Sequence, residues 1–173
     1  MEMKPTSLEE IRQAGWRPTV VLGLINEGKV LLAYREDHQI WQLPQGGIDP
    51  EEGPIPAYLR ELKEELGPAA FESFQIKPED INFIGHDQME FSPKGKEKLM
   101  EKEGQTHLKG KVYFFFASAV KDVPAEFAGS QFQDHRFVSY QEGKELAATI
   151  YQTGKRHITE KFLDLLKEKS LVS

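Results

Sequence analysis

Prolines at 54 and 56 and a glycine at 67 bracket the residues that most restrict how this chain can fold. Proline is tolerated in the first turn of a helix, where backbone N–H groups have no intrahelical partner, and glycine suits the position just past a helix end. Residues 54–66 are therefore predicted to be helical. At about 100° per residue, Ile55, Leu59, Leu62 and Leu66 fall within an arc of roughly 60°, which must face a core. Glu61, Glu64 and Glu65 share a different flank. Like charges at i,i+3 and i,i+4 destabilise a helix by roughly 0.2–0.5 kcal/mol per pair, so this flank is unfavourable unless a cation sits there. Clustered hard oxygen ligands suit Mg²⁺ or Mn²⁺. The other reading of the same residues is a solvated, Glu-rich helix face.

Spacing decides between the two. The helix follows Trp41-Gln42-Leu43-Pro44-Gln45-Gly46-Gly47-Ile48-Asp49-Pro50, which reads as a glycine loop. Loop and helix together fit G-x5-E-x7-R-E-U-x-E-E-x-G-U, where U is apolar, with Gly46, Glu52, Arg60, Glu61, Leu62, Glu64, Glu65 and Gly67 in place. Only Pro68 departs, standing where an aliphatic residue is usual. Residues 46–68 resemble the signature of the Nudix hydrolases. Gly15-Trp16-Arg17-Pro18-Thr19-Val20 and the Trp41 to Ile48 run are similar to the branch holding bacterial RNA 5′-pyrophosphohydrolases and diadenosine tetraphosphate hydrolases. Lys111 and Arg136-Phe137-Val138-Ser139-Tyr140 match that branch in kind.

The resemblance implies an α/β chain folded as an α/β/α sandwich with a mixed sheet. It implies a divalent-metal-dependent pyrophosphohydrolase that cleaves a dinucleoside polyphosphate or the 5′-triphosphate end of RNA by water attack on phosphorus. Glu61, Glu64 and Glu65 would ligate Mg²⁺ or Mn²⁺, Arg60 would pair with a carboxylate of the signature, and Glu52 would support the loop. Arg17, Arg35, Gly46, Gly47 and Lys111 would meet the substrate. Two family features are altered. Gln131 stands where a glutamate usually completes the metal site, so Gln131 itself, Asp134 or Glu126 would take that place. Gly154 stands where a base-stacking aromatic is expected, leaving Tyr151 as the substitute. These departures keep open a module that binds nucleotide without turnover; a hydrolase of another nucleoside diphosphate derivative is the remaining alternative.

A length of 173 residues fits one domain over residues 1–173 with a single core. The net charge of −6 argues against DNA as a partner and requires any phosphate binding to come from a local basic patch or a metal. Cysteine is absent, which removes disulfides and thiolate chemistry. No apolar run approaches the roughly 20 residues that span a bilayer, and Met1-Glu2-Met3-Lys4-Pro5 lacks a signal-peptide core, so the expectation is a cytoplasmic chain without membrane contact. No sequence feature specifies an oligomeric state.

Along the chain, Ser7 and Glu10 form a capping-box pattern for a helix over residues 8–14. Val20 to Ile25 and Lys29 to Tyr34 are predicted strands joined by a turn at Asn26-Glu27-Gly28. Residues 68–80 hold turn formers and a short helical piece. Further strands are predicted over residues 81–91, 112–120 and 136–140, and helices over 141–148 and 155–169. Between Ser92 and Lys111 six lysines face three glutamates, which reads as a solvated loop or as a basic lip over a polyphosphate channel. Trp41 and Tyr34 fit either the core or base stacking. The five histidines show no metal-ligand spacing and receive no role.

Overall fold

The computed structural model describes residues 5–104 and 107–173. Its elements run α1 (Pro5–Gln13), β1 (Trp16–Asn26), β2 (Lys29–Arg35), β3 (Ile40–Gln42), β4 (Gln45–Gly47), α2 (Pro54–Phe74), β5 (Asn82–Glu90), α3 (Pro93–Glu103), β6 (Gly110–Ala119), β7 (Asp134–Val138), α4 (Tyr140–Ala148) and α5 (Thr153–Glu168), with a 3-10 turn at Pro78–Asp80. The strands form one sheet in the order β3-β2-β1-β6-β5, with β4 paired to β1 and β7 to β2. β1 and β6 run parallel from Trp16 opposite Gly110 to Ile25 opposite Ala119, and the remaining pairs are antiparallel. This is the mixed sheet between helical layers that the sequence leads one to expect.

β1 is apolar on consecutive residues because both of its faces are covered. Val20, Leu22 and Leu24 join the core beneath α2 with Leu62, Leu66 and Phe74, while Val21 joins the opposite core with Phe115, Phe162 and Leu166 from the α5 side. The β1–β2 turn places Glu27 (φ 50°) and Gly28 (φ 76°) in left-handed backbone, the twist a two-residue hairpin loop requires. At Gly23 the strand meets α5 without room for a side chain, since a Cβ there would lie 2.6 Å from Phe162 Cζ.

Four local expectations change. α1 begins at Pro5, so Ser7 lies inside its first turn and does not cap it. The glycine stretch 45–47 is a strand, held by the register Thr19 opposite Gly47 and Val21 opposite Gln45. The helix predicted over 54–66 does break at Gly67 (φ 89°, ψ 168°), but Pro68 restarts it and the kinked element reaches Phe74. A side chain at Gly67 would strike Ala128 O at 2.4 Å, and one at Gly129 would strike Pro68 Cδ at 2.8 Å. The kink is thus shaped to receive residues 128–130. Finally, most of the polar stretch after Ser92 is helical. Ser92 Oγ accepts from Gly95 N–H, Pro93 opens the first turn, and Gly104 ends the helix in left-handed backbone. Residues 105 and 106 of that stretch lie outside the described residues. Among the described residues no helix is long and apolar enough to cross a membrane.

The contact at Gly23 gives a stability prediction. Gly23→Ala should destabilise the protein by about 1–3 kcal/mol through overpacking, lowering Tm by roughly 2–4 °C per kcal/mol. In a thermal melt, adding Phe162→Leu should recover part of that loss, because the two sites share one space.

Candidate functional site

Gly46 and the carboxylate helix meet at closer range than any side chain permits. A Cβ on Gly46 would lie 1.9 Å from Glu61 Cδ, so only glycine in β4 lets the Glu61 carboxyl reach the strand. Glu61 is 7% exposed. Arg60 compensates its charge: Nη1 donates to Glu61 Oε1 at 2.7 Å and to Glu64 Oε2 at 3.2 Å. The same guanidinium donates through Nε and Nη2 to Glu52 and through Nη2 to Gly47 O at 2.8 Å. Glu52 in turn accepts from Asp49 N–H at 2.9 Å. One guanidinium therefore joins β4, the following turn and α2.

Positive charge on this helix flank does not match its negative charge. Burial pushes the Glu61 carboxyl above the usual range despite Arg60, and Glu64 and Asp49 add to the rise. Glu65 is pushed up to about 7, by burial first and then by Glu61 and Glu64, with Arg35 opposing. Arg35 Nη2 lies 3.4 Å from Glu65 Oε2, and its guanidinium stacks 4.7 Å above the Phe132 ring. Glu52 moves the other way, held below the usual carboxylate range chiefly by its hydrogen bonds from Arg60.

Cations collect on the other side of β4. Arg17 and Lys111 face each other in the β1–β6 register and line a cleft of about 550 Å³ whose wall includes Gly46, Gly47 and Arg12. Burial lowers the Lys111 pKa, and the charges of Arg17 and Lys155 lower it further. Lys155, in the first turn of α5, is lowered by burial and then by Arg35, and lies 3.5 Å from Gln42 Oε1. Lys155 is the residue that sequence reasoning passed over. It was legible only as one cation of an amphipathic helix, and no spacing rule connects it to Arg17, Arg35 or Lys111. Gln45 Oε1 beside it is buried without a hydrogen-bond partner among the described residues, leaving an acceptor for a ligand or water.

The loop before β7 approaches the carboxylate helix through its backbone. Gln131 N–H donates to Glu65 O at 2.9 Å and its side-chain amide donates to Glu64 O at 3.2 Å. Ser130 Oγ lies 3.3 Å from Glu65 O and 2.7 Å from His135 Nε2, and the His135 ring stacks on Phe127 at 4.0 Å. His135 thus has a structural place that its sequence spacing did not suggest. Asp134 is exposed in β7 opposite Tyr34, with Oδ1 accepting from His135 N–H. Glu126 is exposed, and Tyr151 is 63% exposed. Trp41 and Tyr34 pack on each other at 5.2 Å, with Arg136 stacked 4.8 Å over Trp41.

A hard divalent cation fits the chemistry of the oxygen donors Glu61, Glu64 and Glu65, two of which, Glu61 and Glu65, are raised chiefly by burial. The side chains are not yet gathered round a single point. Among the described residues no three His, Cys, Asp or Glu side chains converge to hold a metal ion, and Arg60 Nη1 bonds both Glu61 and Glu64.

Known proteins share parts of this sequence and its fold. The chain is 43% identical over 72 residues to an RNA pyrophosphohydrolase of Marinomonas sp. (strain MWYL1), a match spanning 41% of this chain and 40% of that protein. The match therefore covers under half the length of this relative. Among solved structures, a NUDIX hydrolase from Nitrosomonas europaea superposes with a TM-score of 0.64 at 16% identity over 90% of each chain. A C. elegans Ap4A hydrolase superposes with a TM-score of 0.53 at 19% identity, covering 88% of this chain and 96% of that one. At such identities these two share the fold. The family description "NUDIX domain" matches residues 15–162, which include β1, the Gly46 contact, the carboxylate helix and the start of α5, and the chain belongs to the NUDIX domain family.

Proposed function

We propose that this protein is a divalent-metal-dependent pyrophosphohydrolase that removes phosphate from the 5′-triphosphate end of RNA. One observation carries the reading. Glu61 and Glu65 are buried carboxyls raised by desolvation and by carboxylate neighbours in spite of Arg60 and Arg35, and Arg17, Lys111 and Lys155 are cations crowded against one another beside the cleft. A polyphosphate bound with a divalent cation supplies what each group lacks. The name of the Marinomonas relative supports an RNA end as the polyphosphate. A dinucleoside polyphosphate is the second reading, favoured by the net charge of −6, which repels a longer polyanion.

In this mechanism Glu61, Glu64 and Glu65 would hold Mg²⁺ or Mn²⁺, with Gln131 or Asp134 as the further donor from the loop. Such an ion would supply polarisation of phosphoryl oxygens and a more acidic water. Arg60 opposes the effect of burial on Glu61 and holds it in place, while Glu52 fixes Arg60. Arg17, Arg35, Lys111 and Lys155 neutralise and align the phosphate chain. Water oxygen bonds to phosphorus, a carboxylate of the trio takes its proton, and the anhydride P–O bond breaks with its electron pair leaving on the departing phosphate. Gly46 admits the Glu61 carboxyl, Gly47 leaves open space beside it for the phosphate chain, and Tyr151 stands as an exposed ring for a base.

The deciding assay offers triphosphorylated RNA, diadenosine tetraphosphate and nucleoside triphosphates side by side in Mg²⁺, with products identified. Release of phosphate or diphosphate from RNA is expected, and turnover of none of them overturns the catalytic reading in favour of a nucleotide-sensing module. Saturating Mg²⁺ should raise Tm, and Glu65→Gln should lose most of that rise and slow turnover by on the order of 10². Lys155→Met keeps the buried stem and removes a repelled charge. Calorimetry should show Tm raised by about 1–2 °C while KM rises on the order of tenfold, a separation of stability from function.

A further inference from the structure

Arg12 comes from the last turn of α1 and reaches the stretch between β4 and α2, where Nη2 donates to Ile48 O at 2.7 Å and to Asp49 O at 2.9 Å. The preceding carbonyl, Gly47 O, is taken by Arg60. Two guanidinium groups thus hold three successive carbonyls. The amides between them are also engaged: Ile48 N–H donates to Pro18 O at 3.0 Å, and Asp49 N–H donates to Glu52, the carboxylate that binds Arg60. The charge of Arg12 also contributes to the lowered pKa of Glu52.

Anchoring α1 does not need this side chain. Leu8 is fully buried and Ile11 packs on the same core. Arg12 is also a poor choice for stability alone. Its Nη1 is buried without a hydrogen-bond partner among the described residues, the Glu9 carboxylate being 3.7 Å away. A buried donor left unpaired lowers stability, whereas an apolar side chain would anchor the helix without that penalty.

We propose that Arg12 is a positioning residue for the catalytic centre, acting through the peptide planes at 48 and 49 to present Asp49 N–H to Glu52 and so to hold Arg60 against Glu61. The helix ahead of β1 is then part of the machinery. Only the kinetic consequence rests on the pyrophosphohydrolase reading; the structural one stands on the hydrogen bonds.

The test uses the full chain with Arg12→Ala and Arg12→Lys, measuring Tm, amide hydrogen exchange at Asp49, and kcat and KM on triphosphorylated RNA in Mg²⁺. Loss of such outer contacts typically reduces activity by about 10–100-fold. For Arg12→Ala the expected result is kcat down about tenfold, KM within about twofold, and faster Asp49 exchange, with Tm little changed. Arg12→Lys should recover part of kcat, because an ammonium keeps the charge but lacks the planar fork. Wild-type exchange and kcat in Arg12→Ala would overturn the proposal, as would losses that only follow a lowered Tm. If the wild type hydrolyses no polyphosphate, the functional reading fails by itself. Exchange at Asp49 then decides on Arg12 alone, unchanged protection counting against it and faster exchange for it.

Discussion

The Arg60 guanidinium is the interaction on which this site depends. It bonds Glu52, Glu61, Glu64 and Gly47 O, linking strand, turn and helix with the donors of one planar group. Lysine has the charge but not the fork, and no single ammonium reaches all four. Arg60 also makes a buried Glu61 tolerable, since an ionised carboxylate taken from water requires both a partner charge and hydrogen bonds. The contact is possible only because residue 46 has no side chain. Glycine in the strand, arginine on the helix and the buried glutamate form one physical unit, which explains why they stand at set separations in the chain.

Around that unit the charges are only partly balanced. Glu61, Glu64 and Glu65 lie on α2 with Arg60 and Arg35 beside them, while Arg17 and Lys111 line the cleft. Neither group is at ease: Glu65 is pushed up to about 7, and Lys111 and Lys155 are pushed down by burial and by their cationic neighbours. A protein selected only for stability would let the two neutralise each other. Arg35 comes nearest to doing so, lying 3.4 Å from Glu65 while adding to the repulsion felt by Lys155. Perturbed groups of both signs beside a cleft are the pattern expected where a charged ligand completes the balance.

Legibility in the sequence followed the physics of each segment. β1 and α5 were readable because their apolar residues have partners on known faces. α3 was read as a loop because it is polar on nearly every side and gives no periodicity; its only signals are Ser92-Pro93 at the start and Gly104 at the end. β4 was read as loop because Gln45-Gly46-Gly47 has no strand propensity, and its conformation comes from pairing with Thr19 to Val21. Pro68, odd against the signature, has its place in the packing of Gly129 on its ring.

The carboxylate trio, its arginine and its glycine could be named from the sequence alone, because the contacts among Gly46, Glu52, Arg60 and Glu61 lie within a short stretch whose spacing is the geometry. Residues that meet from distant parts of the chain could not. Arg12, Lys155, Ser130 and His135 carry no local pattern linking them to the site, and each is brought there by the packing of its element on the sheet. Tertiary structure alone also decided where Gln131 sits: its side-chain amide nitrogen donates to the Glu64 carbonyl, because the Gly67 kink opens the helix end to the loop. Short-range chemistry is written in order along the chain, whereas charge balance across a cleft exists only after folding.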